Sequence, residues 1–167
     1  MELTLVLDRF LHILSGITWI GLLYYFNFVQ VPGLGKAKAD GTAAGITKHI
    51  APRALLWFRW SALATWLTGA LYLQHGTGSL AKAFMLQGEF AYIGIGAWLG
   101  TIMLFNVWVL IWPNQKKVLG FKEASDEEKA RAGRVALLAS RTNTMLSIPM
   151  LFFMVAGSPA HTMGIFG

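Results

Sequence analysis

His12 is the side chain whose chemistry most needs explaining. It lies two residues inside the run "FLHILSGITWIGLLYYFNFVQV", which carries no formally charged residue. On a helix, Gly16 follows one turn later and Trp19 two turns later, on the same face. An imidazole nitrogen can ligate haem iron, glycine lets a flat macrocycle approach the backbone, and tryptophan offers a ring to pack on it. The same trio also suits a helix crossing, in which glycine admits a neighbour and histidine hydrogen-bonds across the interface. Two readings of His12 therefore stand: a metal ligand with haem b as the cofactor, or an interhelical hydrogen-bonding group. His75 and His161 follow later apolar runs at the same end of the molecule. Each is either a second axial ligand or a solvated loop residue.

A second polar layer lies at the other end. Arg59, Asn106 and Arg141 each sit about six residues inside an apolar run, about 9 Å deep at helical rise, with Asn27 and Asn143 close to that level. Ionisable groups at such depth are costly unless paired. An arginine on its own can snorkel to the surface, whereas Arg59, Arg141, Asn106 and Asn143 together suggest an anion site or shared polar network. Paired guanidinium groups suit planar carboxylates, haem propionates included. Since this layer is far from His12, a separate anion is the better expectation. Arg59 and Arg141 are expected to approach one another across Asn106 or Asn143. No residue presents itself as a general base, and catalytic residues are not assigned. Glu89, at a helix start, reads as an acid stabilised by the helix dipole.

The elements that must position these groups are long and apolar. Of 167 residues, 55% are hydrophobic and only 13% charged, against about 25% charged in soluble domains. There is no cysteine, which excludes thiolate metal sites, thiol catalysis and haem attachment through CxxCH. The net charge of +6 does not point to nucleic acid, because the basic residues sit between the apolar runs. Four runs, 10–31, 54–73, 90–112 and 135–157, reach the roughly 20 residues needed to span a bilayer. Ten Lys and Arg residues fall between the first and second runs or between the third and fourth, against two on the opposite side. By the positive-inside bias, both termini lie outside the cytoplasm. The expectation is an all-α, integral-membrane four-helix bundle, a single domain over 1–167 in contact with lipid. The segments "VPGLGKAKADGTAAG" and "HGTGSLAKAF" read as glycine-rich loops. "SDEE" at 125–128 reads as a capping box that starts the last helix in the cytoplasm. Gly94, Gly96 and Gly100 suggest a closely packed third helix, and Pro149 interrupts the hydrogen bonding of the fourth.

The motifs "LHILSGITWIG", "LLWFRWSALATWLTG", "GTIMLFNVWVLIWPNQKKVLG" and "SRTNTMLSIPMLF" together resemble the membrane region of the bacterial membrane-bound urate hydroxylase family. The first helix is also similar to haem-binding membrane proteins related to protoporphyrinogen oxidase. The resemblance implies a redox module in the bacterial inner membrane, multi-pass, with both termini periplasmic and electrons passing to a periplasmic cytochrome c. By position, His12 corresponds to the first-helix histidine, Arg59 replaces a family lysine, and Asn106 and Asn143 match polar positions. Thr142 and Ser158 stand where histidines are expected, and the carboxy-terminal cytochrome c domain is missing. The alternative implied by these departures is a non-catalytic accessory or structural subunit of a larger, respiratory-type membrane complex.

Overall fold

The computed structural model describes residues 2–157. Every regular element among them is helical. Helix α1 (Glu2–Tyr24) passes through a π-helical turn, Tyr25–Gln30, directly into α2 (Val31–Ala39). A break follows at 40–42, where Gly41 takes φ +73°. Helix α3 (Ala43–Gly45) and a second π turn, Ile46–Ile50, lead into α4 (Ala51–Thr77). Short α5 (Leu80–Phe84) and a 3-10 turn, Gly88–Phe90, precede α6 (Ala91–Phe105). A third π turn, Asn106–Ile111, joins α6 to α7 (Trp112–Val118), and α8 (Asp126–Ala156) completes the described fold.

The three π turns share one cause. Each is followed by an X–Pro pair: Val31–Pro32, Ala51–Pro52 and Trp112–Pro113. Proline has no N–H, and its ring clashes with the carbonyl one turn back, which costs about 3 kcal/mol in a regular helix. Here the residue before each proline donates five positions back instead of four: Val31 to Phe26, Ala51 to Ile46 and Trp112 to Val107. The wider turn lets the chain stay helical where a break would otherwise form.

Both segments read as loops are more helical than expected. Helix continues through "VPGLGKAKA", and "LAKAF" forms α5. Alanine, leucine and lysine between the glycines favour helix. Gly94 accommodates α5, since a Cβ there would fall on the Ala83 carbonyl oxygen. Gly96 and Gly100 instead face Met154 and Met150 of α8. The last helix begins as expected: Ser125 Oγ accepts from the Glu128 amide at 3.2 Å, and the Glu128 carboxylate accepts from the Ser125 amide at 2.9 Å. That backbone bond, aided by Lys117, holds the Glu128 carboxyl below the usual carboxylate range.

Helix α1 packs along α4 and α6 along α8, with α4–α6 and α1–α8 contacts closing the bundle. The interior mixes large apolar groups (Trp19, Leu23, Phe58, Met103) with polar ones (Thr65, Asn106, Asn143, Ser147). The outward faces are strongly apolar: Ile17, Trp57, Phe105, Met145 and Ile148 are each more than half exposed. Soluble monomers rarely expose large contiguous apolar patches. Two continuous helices, Leu3–Ala39 and Gly88–Val118, are long and apolar enough to cross a membrane. The other two long helices carry Arg59 and Arg141 within their apolar stretches.

Candidate functional site

The α1–α4 contact sets the geometry of His12. Its Nδ1 lies 2.8 Å from the backbone carbonyl oxygen of Thr65. A carbonyl can only accept, so Nδ1 carries the proton and donates. In the neutral ring Nε2 is then unprotonated, with its lone pair available to a ligand. The ring fits there because position 69 is glycine: a Cβ would stand 2.7 Å from His12 Cε1 and 2.8 Å from Nδ1. A glycine inside a helix costs about 1 kcal/mol relative to alanine, and here that cost makes room for an imidazole.

His12 borders a cavity of about 870 Å³ between the helices. Gly16, Trp19, Tyr24, Trp66 and Met150 contribute to its walls, and exposed Arg9 and Glu89 stand at its rim. The structure thus brings His12, Gly16 and Trp19 to one space. Trp19 is only 2% exposed, and its indole Nε1 has no hydrogen-bond partner. A buried donor left unpaired costs about 1–3 kcal/mol, and the indole ring, not its N–H, is what Trp19 offers to the cavity. The size falls within the usual range for cofactor sites, about 300–1,000 Å³.

The remaining histidines are placed differently. His75 Nδ1 is 2.7 Å from Asp8 Oδ2, and the residue is not part of the cavity wall. His161 lies outside the described residues. No cluster of three or more His, Cys, Asp or Glu residues that could hold a bare metal ion exists among the described residues. Iron already chelated by a macrocycle needs only an axial donor from the protein, and His12 can supply one.

In the other polar layer, the asparagines meet and the arginines do not join them. Asn106 Nδ2 donates to Asn143 Oδ1 at 2.8 Å, and Asn143 Nδ2 donates to the Met103 carbonyl at 3.0 Å. Arg59 stacks on Trp112, its Cζ 3.8 Å from the ring centroid. Arg141 is exposed on α8. Neither guanidinium forms a hydrogen bond or ion pair among the described residues. The expected approach of the two arginines across the asparagines is therefore not the observed arrangement. Cation–π stacking answers the cost of a poorly solvated arginine without an anion.

Four positions in this interior were not singled out from sequence: Thr65, Gly69, Ser140 and Ser147. Ser147 and Tyr24 hydroxyls lie 3.0 Å apart, and Ser140 Oγ accepts from Asn27 Nδ2 at 2.8 Å. The signal was present in part, since Ser140, Asn143 and Ser147 recur at helical spacing on one face of α8.

Residues 76–164 match the urate oxidase N-terminal family, from the last turn of α4 to beyond the end of α8. The asparagine pair and Ser147 fall inside this stretch, whereas His12, Thr65 and Gly69 precede it. No curated protein and no solved structure matches the chain. With more than half of its length matched, the chain belongs to the urate oxidase N-terminal family.

Proposed function

We propose that this protein is a membrane-embedded redox module that binds a b-type haem through His12. The membrane reading is supported by the apolar outward faces, the two helices long and apolar enough to span, and the ten-to-two Lys and Arg asymmetry. It has four spans in the bacterial inner membrane, formed by α1–α2, α4, α6–α7 and α8, with both ends of the chain periplasmic. The observation that carries the haem reading is the His12 imidazole. Its Nδ1 is committed to the Thr65 carbonyl, and the ring borders a cavity of cofactor size.

Each wall residue then has a role. The Thr65 carbonyl fixes the tautomer and orientation of His12 and raises the basicity of Nε2. Gly69 leaves space for the ring, and the missing side chain of Gly16 faces the Thr65 methyl of α4 at the helix crossing. Arg9 at the rim is the cation placed to pair with carboxylates there. Bound haem supplies a one-electron carrier, whose potential the axial ligand and surrounding packing set. The electron acceptor is a periplasmic cytochrome c or a larger membrane complex.

Purified protein should show a Soret band, and His12→Ala should abolish or strongly reduce it while the helices remain in the membrane. A full haem spectrum in the variant would falsify ligation by His12. A wild-type protein without a Soret band leaves the accessory-subunit reading in its place.

A further inference from the structure

Trp112 ends the third apolar run, where an aromatic belt meets the headgroups of the cytoplasmic leaflet in the proposed orientation. Two cations from different helices converge on its indole. Arg59 of α4 has Cζ 3.8 Å from the ring centroid, and Lys116 of α7 has Nζ at 5.8 Å. Phe121 packs on the same indole, with ring centroids 6.4 Å apart. Both cations are half-buried. Neither forms an ion pair or a side-chain hydrogen bond among the described residues. Stacking engages the flat face of the guanidinium and leaves the N–H donors of its edge free. The lysine ammonium brings three more donors. Cation–π attraction holds each charge against the ring, yet it does nothing for the repulsion between two like charges gathered there. An anion answers both the free donors and the repulsion, and the guanidinium fork matches phosphate oxygens.

We propose that Arg59, Trp112 and Lys116 bind the headgroup phosphate of an anionic phospholipid in the cytoplasmic leaflet. The inference rests on the membrane part of the proposed function and uses nothing of the haem reading. A lipid fits the place better than a free anion. Arg59 lies about six residues inside its apolar run, about 9 Å deep at helical rise. Lys116 lies one turn beyond the end of its own run. The pair therefore straddles the boundary between hydrocarbon and headgroups. Trp60, next to Arg59 in α4, is half exposed and meets Trp108 edge to face at 5.4 Å, one turn before Trp112. Those rings offer an apolar surface to the acyl chain on the hydrocarbon side of the phosphate. Each cation so placed changes the affinity for an anionic lipid by about fivefold.

The test is equilibrium binding of phosphatidylglycerol and phosphatidylcholine with the same acyl chains to the delipidated full-length protein in detergent, read by native mass spectrometry. Phosphatidylglycerol should bind at least about tenfold more tightly. Arg59→Gln and Lys116→Gln should each weaken its binding about fivefold and leave phosphatidylcholine unchanged. Lys36→Gln, which removes an exposed cation of α2, should change neither. Thermal unfolding identifies a variant that fails to fold, and the other alone then decides. Equal affinity for the two lipids overturns the proposal. So does a loss in Lys36→Gln as large as in the Trp112 pair, because attraction to a basic surface would then explain the binding. Displacement of the lipid by millimolar inorganic phosphate overturns it too, since the pair would then be a free-anion site. Wild-type protein recovered in the soluble fraction of cells defeats the membrane reading, and this inference with it. Protein in the membrane fraction that shows no preference for phosphatidylglycerol defeats this inference alone.

Discussion

Gly69→Ala tests the reasoning about His12 most directly. The new Cβ would stand 2.7 Å from His12 Cε1 and 2.8 Å from Nδ1, closer than real side chains approach. The imidazole must swing away, which breaks the bond to the Thr65 carbonyl. Overpacking costs about 1–3 kcal/mol, and the lost hydrogen bond about 1 kcal/mol more. Replacing a helical glycine returns about 1 kcal/mol, leaving a net destabilisation of about 1–3 kcal/mol. Gly33→Ala is the control, because nothing lies within 4 Å of that Cβ. Unfolding of the purified protein in detergent measures the energies, and the Soret band reports on the ligand. A double-mutant cycle isolates the contact: with His12→Ala already made, the new methyl has no ring to meet, and Gly69→Ala should cost nothing. Additive costs, or a Gly69→Ala protein with unchanged stability and Soret band, would refute the account.

Three further outcomes follow from the same geometry. Asn143→Leu, at a fully buried position, strips partners from Asn106 and from the Met103 carbonyl; it should cost about 1–3 kcal/mol, and a loss below 0.5 kcal/mol on this scale in detergent unfolding argues against the pair. Cysteines at exposed Gln87 and Ser125 should differ in labelling by an impermeant reagent on intact cells, Gln87 reacting and Ser125 not; Ser79 is unsuitable because it is buried. Glu128, whose carboxyl is held low by the Ser125 amide, contributes stability that is present above the ordinary carboxylate pKa and lost as pH falls through its depressed value. Ser125→Pro, which removes that amide N–H at a φ of −65° that proline adopts, should raise the Glu128 pKa towards the ordinary range in an NMR titration, and an unmoved titration would remove the amide bond as the cause.

Much of the architecture was legible because it depends on spacing along one chain. A run of apolar residues long enough for a membrane span, a capping box at 125–128 and the common face of His12, Gly16 and Trp19 are local properties. Helical periodicity is enough to place them. The loops were misjudged because their glycine content was read as loop. At Pro32, Pro52 and Pro113 a π turn absorbs the missing donor and the steric clash, so the helix runs on.

Periodicity says which face of a helix a residue occupies, but not what stands opposite. His12 was bound to face the bundle; that it meets the Thr65 carbonyl over a glycine 57 positions away depends on how α1 lies along α4. Depth placed Arg59, Arg141, Asn106 and Asn143 in one layer, yet depth along a helix axis carries no rotation about it. Packing turned Asn143 inward to Asn106, set Arg59 on Trp112 and left Arg141 exposed. The amino-acid sequence by itself determined the helices, their apolar lengths and the chemistry each face could offer. Only the tertiary structure decided which of those groups share a cavity, because that choice belongs to contacts between helices distant in the chain.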